Sequence, residues 1–132
     1  MTLPEKRILI VDDDRDFVEA VSCFLEANHF TVLKAHDGAE GVKLAKMERP
    51  DLILMDIMMD ERTEGFFTIQ EMRRAAELKG VPIFVLSALY TKLPEFETAP
   101  DSAWLAHDEF LSKPVDLAQL LEKIRQRIGA AA

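Results

Sequence analysis

Residues 52–65 read LILMDIMMDERTEG: four apolar residues, a carboxylate at Asp56, and then a loop with three more acids, Asp60, Glu61 and Glu64. Four apolar residues with no polar alternation mark a strand covered on both faces, the habit of strands in parallel sheets flanked by helices. A carboxylate closing such a strand calls for a reason, because an uncompensated buried charge is costly.

Similar runs occur at Ile8-Leu9-Ile10-Val11, from Phe30 to Leu33, at Ile83-Phe84-Val85-Leu86 and, weakly, at Phe110-Leu111. Helical stripes separate them, with Phe17, Val21, Phe24 and Leu25 in the first and Leu117, Leu120, Leu121, Ile124 and Ile128 in the last. Asp37 and Asp116 suit helix N-caps, Pro50 and Gly80 follow helix ends, and Gly129 stands where the last helix should stop. The pattern predicts strands at about 7–12, 30–34, 51–56, 82–87 and 109–112, and helices at 14–27, 38–48, 65–78 and 116–128, with an irregular segment before the fifth strand. Five βα units fit one doubly wound α/β sheet with helices on both faces.

Composition narrows the function. The chain has 132 residues, 48% of them hydrophobic, which is material for one core and predicts one domain over 1–132 with no effector domain. Its net charge of −8 and the absence of any basic run longer than a pair such as Arg73-Arg74 argue against direct nucleic-acid binding. The N-terminus has only four consecutive apolar residues before three aspartates, too few for a signal peptide or a membrane span, so a cytoplasmic location is expected. The single cysteine, Cys23, cannot form an internal disulfide and is predicted on the apolar side of the first helix, as a structural thiol.

In a doubly wound sheet ligands gather beyond the carboxyl ends of the strands, where the strand order reverses. The residues there are Asp12, Asp13 and Asp14 after the first strand, Asp56 after the third, Ser87 after the fourth and Lys113 after the fifth. Acids converging from separate strands need a balancing cation, and all-oxygen ligation points to Mg²⁺. Taken singly these residues have ordinary readings: Asp14 can cap the first helix, Asp56 can end a turn, Ser87 can bond a loop and Lys113 can be solvated.

Together they resemble the receiver domain of two-component response regulators, the CheY-like family. The matching features are Asp12-Asp13 after ILIV, Asp56 after LILM, Ser87 in VLSA and Lys113-Pro114 in FLSKP. The resemblance implies a flavodoxin-like sheet of order 2-1-3-4-5. It also implies a switch that accepts a phosphoryl group on Asp56 by self-catalysed chemistry, and is not an enzyme with a turnover substrate. Asp12 and Asp13, with Asp56 and the backbone carbonyl of Met58, would hold Mg²⁺; Ser87 would donate its hydroxyl to a phosphoryl oxygen and Lys113 would balance its charge. The implied partners are a histidine kinase or phosphotransfer protein upstream. A downstream protein would read the face made by the fourth helical segment, the last strand and the last helix, with Ser87 and Phe110 as switch residues. Met58 and Leu89 occupy the positions that in receivers flank the hydrolytic water, and their large apolar side chains predict slow loss of the phosphoryl group.

Other chemistries compete. ILIVDDDRD also resembles the start of a haloacid-dehalogenase-type phosphatase, with Asp12 as nucleophile and Asp14 as general acid, but that pattern wants Thr or Val at Asp16 and usually a longer chain. A calcium loop through Asp12, Asp14 and Asp16 would need glycine at Phe17 and glutamate at Cys23. A receiver fold that signals by contact without phosphorylation is the remaining alternative. Two departures from the receiver pattern stand out. Asp60 replaces a proline, with Gly65 one residue later than usual, which predicts a longer loop after the third strand. Pro94 and Pro100 forbid a regular fourth helix at its usual start, which predicts a long loop and a short helix over about 101–106, packed by Trp104.

Overall fold

The computed structural model describes residues 5–56, 64–87, 109–112 and 114–129. Strands β1 (Arg7–Val11), β2 (Thr31–Ala35), β3 (Leu52–Met55), β4 (Ile83–Ser87) and β5 (Glu109–Ser112) alternate with helices α1 (Arg15–Ala27), α2 (Gly38–Glu48), α3 (Glu64–Arg74) and a C-terminal helix (Leu117–Ile128). The strands form one parallel sheet in the order β2-β1-β3-β4-β5. The doubly wound α/β fold read from the sequence is therefore the fold observed.

Period-two alternation in the central strands explains both faces. Leu9, Val11, Ile53, Met55, Ile83 and Val85 point one way, into a core shared with Val42 and Ala45 of α2 and Ile69 and Met72 of α3. Ile8, Ile10, Leu52, Leu54, Phe84 and Leu86 point the other way, against Val18, Val21 and Leu25 of α1 and Leu120, Leu121 and Ile124 of the C-terminal helix. The run LILM is fully buried because both its faces are roofed.

Local signals behave as the sequence suggests. Asp14, Asp37 and Asp116 are N-caps whose carboxylates accept from the first-turn amides Phe17 N, Glu40 N, and Ala118 N with Gln119 N. Gly129 ends the C-terminal helix at φ 87°, a conformation suited to glycine. At the end of α1, His29 takes a left-handed φ of 73° while the amides of His29 and Phe30 donate to Glu26 O and Leu25 O, closing a Schellman turn. Phe30 belongs to that turn, so β2 starts one residue later than predicted.

Two expectations fail. Cys23 is exposed, because the buried stripe of α1 runs through Val18, Val21, Ser22 and Leu25; the i, i+3, i+4, i+7 spacing excludes position 23. The third helix, expected to reach residue 78, stops at Arg74 and gives way to a single 3-10 turn, Ala76–Leu78, after an extended Ala75. A continuous helix would turn Leu78 about 180° away from Ile69, off the core face; the break lets Leu78 be fully buried beside Ile69 and Met72. The Arg73 guanidinium secures the break, donating to Leu78 O at 3.1 Å and Val81 O at 2.8 Å.

Candidate functional site

Parallel pairing decides where the acids meet. Val11 of β1 is abreast of Met55 of β3, so the next residue of each strand, Asp12 and Asp56, emerges on the same edge. The Asp56 amide continues the ladder by donating to Val11 O at 3.0 Å, and the Asp12 amide donates to Ala35 O at 3.0 Å. Both side chains are sequestered: Asp12 is 1% exposed and Asp56 5%. Asp13 is half-buried beside them.

One carboxylate oxygen from each of Asp12, Asp13 and Asp56 lies within 4.8 Å of the others. Oxygen ligands on opposite sides of an octahedral Mg²⁺ stand about 4.2 Å apart, a little less than that limit, so a small closure of the three carboxylates would let them share a single hard cation. Asp12 is braced for that role, because its Oδ1 accepts the Asp14 amide at 2.9 Å. Asp14 faces elsewhere and caps α1 through Phe17 N at 3.1 Å, which removes it from the general-acid role that a phosphatase would require.

On the next strand, Ser87 is the last residue of β4 and pairs with Ser112 at the end of β5, while Phe110 of β5 pairs with Val85. The backbone thus brings the ends of β4 and β5 to the same edge of the sheet as Asp12 and Asp56. Met58, Leu89 and Lys113 lie outside the described residues, as do Asp60, Glu61, Pro94, Pro100, Trp104 and the helix expected over 101–106. His36, which no sequence motif marks, places its ring Nδ1 3.2 Å from the backbone carbonyl of Asp12. Its one signal was positional: it is the first residue after β2, and β2 lies next to β1.

A doubly wound sheet with a carboxylate cluster at its reversal point has that cluster where proteins of this fold class bind their ligands. The response regulator receiver domain family matches residues 8–125, and the chain belongs to that family. It is similar to protein PilH of Pseudomonas aeruginosa, with 37% identity over 118 residues, covering 89% of this chain and 93% of PilH. The DNA-binding dual master transcriptional regulator RpaA of Synechocystis is 34% identical over 122 residues, which is 90% of this chain but 47% of RpaA. The chain thus spans about half the length of that relative and nearly all of PilH. Among solved structures, the receiver domain of the sensor histidine kinase PA1611 from P. aeruginosa superposes with a TM-score of 0.82 at 25% identity, covering 96% of this chain and 99% of the other. It holds a magnesium ion coordinated in its active-site cleft. The protein is therefore a receiver domain of two-component signalling, a phosphoacceptor switch by family.

Proposed function

We propose that Asp56 is the phosphoacceptor and that Asp12 and Asp13 hold Mg²⁺ beside it. The phosphoryl group would come from a histidine kinase or phosphotransfer protein. The observation that carries this reading is the convergence of three carboxylates from β1 and β3 within 4.8 Å; the magnesium in the related P. aeruginosa receiver supports it.

An oxygen of the Asp56 carboxylate attacks phosphorus as the bond to the donor nitrogen breaks, and the bonding pair returns to the donor imidazole. When bound, the metal offsets charge on the transferring phosphoryl oxygens. Asp12 and Asp13, with the Met58 carbonyl, would hold that metal. The Ser87 hydroxyl donates to a phosphoryl oxygen and Lys113 neutralises another, their strands ending abreast at Ser87 and Ser112. The domain catalyses its own phosphorylation and hydrolysis and has no turnover substrate.

The output is contact with a downstream protein through the surface around β5 and the C-terminal helix, with Phe110 as the side chain that moves. No helix among the described residues is long and apolar enough to cross a membrane, and the proposed place of work is the cytoplasm, where the phosphodonors of such domains act. The net charge of −8 favours a protein partner over nucleic acid.

Intact mass after incubation with acetyl phosphate and Mg²⁺ tests the reading. One phosphate should be added, and Asp56→Asn or chelation should abolish it. A wild type that stays unmodified by small donors and phosphotransfer proteins would leave a contact-only module. In the phosphorylated protein, Met58→Asn with Leu89→Glu should shorten the lifetime about tenfold, equivalent to about 1.4 kcal/mol of barrier.

A further inference from the structure

β1 lies between β3 on one side and β2 on the other, and the first residue beyond β2 touches the backbone of the acid cluster. His36 places Nδ1 at 3.2 Å from the carbonyl oxygen of Asp12. A carbonyl oxygen can only accept, so Nδ1 carries a proton and donates. His36 is itself anchored: its backbone amide donates to Glu40 Oε1 at 2.8 Å, while the Glu40 amide donates to Asp37 Oδ1 at 2.8 Å. This exchange of bonds at the start of α2 is a variant of the capping box. It ties the histidine to the rigid first turn of a helix.

The accepting carbonyl belongs to the peptide that joins Asp12 to Asp13. That peptide is planar, so holding its oxygen fixes the direction in which the chain leaves Asp12, and with it the starting direction of Asp13. The other end is held as well, since the Asp12 amide donates to Ala35 O at 3.0 Å. Asp12 is therefore clamped through backbone groups by two consecutive residues, Ala35 and His36. Asp13 is the least buried of the three acids.

We propose that His36 is a positioning residue of the metal site, holding the Asp12–Asp13 peptide so that the two carboxylates and Asp56 stay converged before a divalent cation arrives. The proposal rests on the reading that these carboxylates bind Mg²⁺. It adds to that site a residue that touches neither metal nor phosphoryl group. Groups that orient ligands from behind typically change metal affinity by about 10–100-fold when removed.

The test is calorimetric titration of the full chain with Mg²⁺ for wild type and His36→Phe, His36→Gln and His36→Asn, with urea unfolding in EDTA as the check on folding. Asparagine can place an amide nitrogen where Nδ1 stands, whereas the glutamine amide reaches one atom further, and phenylalanine keeps the ring without a donor. The expected result is a loss of affinity of about tenfold or more for phenylalanine and glutamine, with asparagine within about threefold of wild type. A purely structural histidine would give losses in EDTA stability that do not track metal affinity. If His36→Phe fails to fold, His36→Ala serves in its place. Wild-type affinity in His36→Phe or His36→Ala, or no rescue by asparagine, overturns the proposal while the metal site stands. A wild type that does not bind Mg²⁺ overturns the site reading and this one with it.

Discussion

Three carboxylates held together without a cation should cost the fold stability, and Asp13→Asn measures how much. With the carboxylate oxygens of Asp12, Asp13 and Asp56 within 4.8 Å of one another, each pair repels by about 3.5 kcal/mol at an effective dielectric near 20. Asp13 takes part in two such pairs, but it is only half-buried, and water and salt screen it. Each of the three acids also has other interactions that offset part of this repulsion, so a net gain of about 1 kcal/mol in metal-free stability is the expected outcome for this nearly isosteric change. Mg²⁺ reverses the order. Wild type at a hundred times its dissociation constant gains about 2.7 kcal/mol, because only the folded state binds, whereas the variant has lost a ligand and gains far less. Urea unfolding in EDTA and again in Mg²⁺ should therefore show the variant ahead in the first and level or behind in the second. A variant no more stable than wild type in EDTA would refute the crowding argument. An equal Mg²⁺ increment in both proteins would remove Asp13 from the metal site.

Three further outcomes concern the scaffold. Ser22 Oγ is fully buried in α1 with no hydrogen-bond partner, so Ser22→Ala should stabilise by about 1 kcal/mol through relief of desolvation and better helix propensity; lower stability in urea unfolding would show that the hydroxyl is satisfied. A Cβ at Gly41 would sit 2.8 Å and 2.9 Å from the two γ-carbons of buried Val11, so Gly41→Ala should cost about 1–3 kcal/mol despite favouring the helix. Val11→Ala should erase most of that difference in a double-mutant cycle. The Arg7 guanidinium donates to the carbonyls of Glu48 and Arg49 at the end of α2; Arg7→Ala should cost about 1–2 kcal/mol and speed amide exchange in the last turn of α2, and unchanged exchange would count against that clamp.

Most of the fold was legible because its signals are local. LILM and ILIV announced buried parallel strands by lacking alternation, and the caps at Asp14, Asp37 and Asp116 were readable from residue type and place. The failures were tertiary. Cys23 looked apolar-facing because Val21, Phe24 and Leu25 surround it in sequence, yet α1 seats Ser22 on the core in its stead. The end of α3 carries no proline or glycine to break it; the break follows from burying Leu78, a demand set by the neighbouring sheet.

At the site, the same division separates what could be read from what could not. Asp12 and Asp56 are 44 residues apart in sequence, and each advertised itself as a charge ending an apolar run. Their meeting follows once β1 and β3 are neighbours, because parallel strands in register send their next residues to one edge. His36 carried no such mark, since a histidine before a helix cap is ordinary surface sequence. Its contact is with a backbone carbonyl, which every residue possesses and no side-chain motif records. Sheet order supplies the missing step: placing β2 beside β1 makes the residue after β2 a neighbour of the Asp12–Asp13 peptide whatever its type. A histidine there can donate to that peptide from Nδ1, where an alanine or leucine could not. In this fold the residue following β2 should therefore be weighed with those following β1 and β3 whenever the metal-binding acids are assigned.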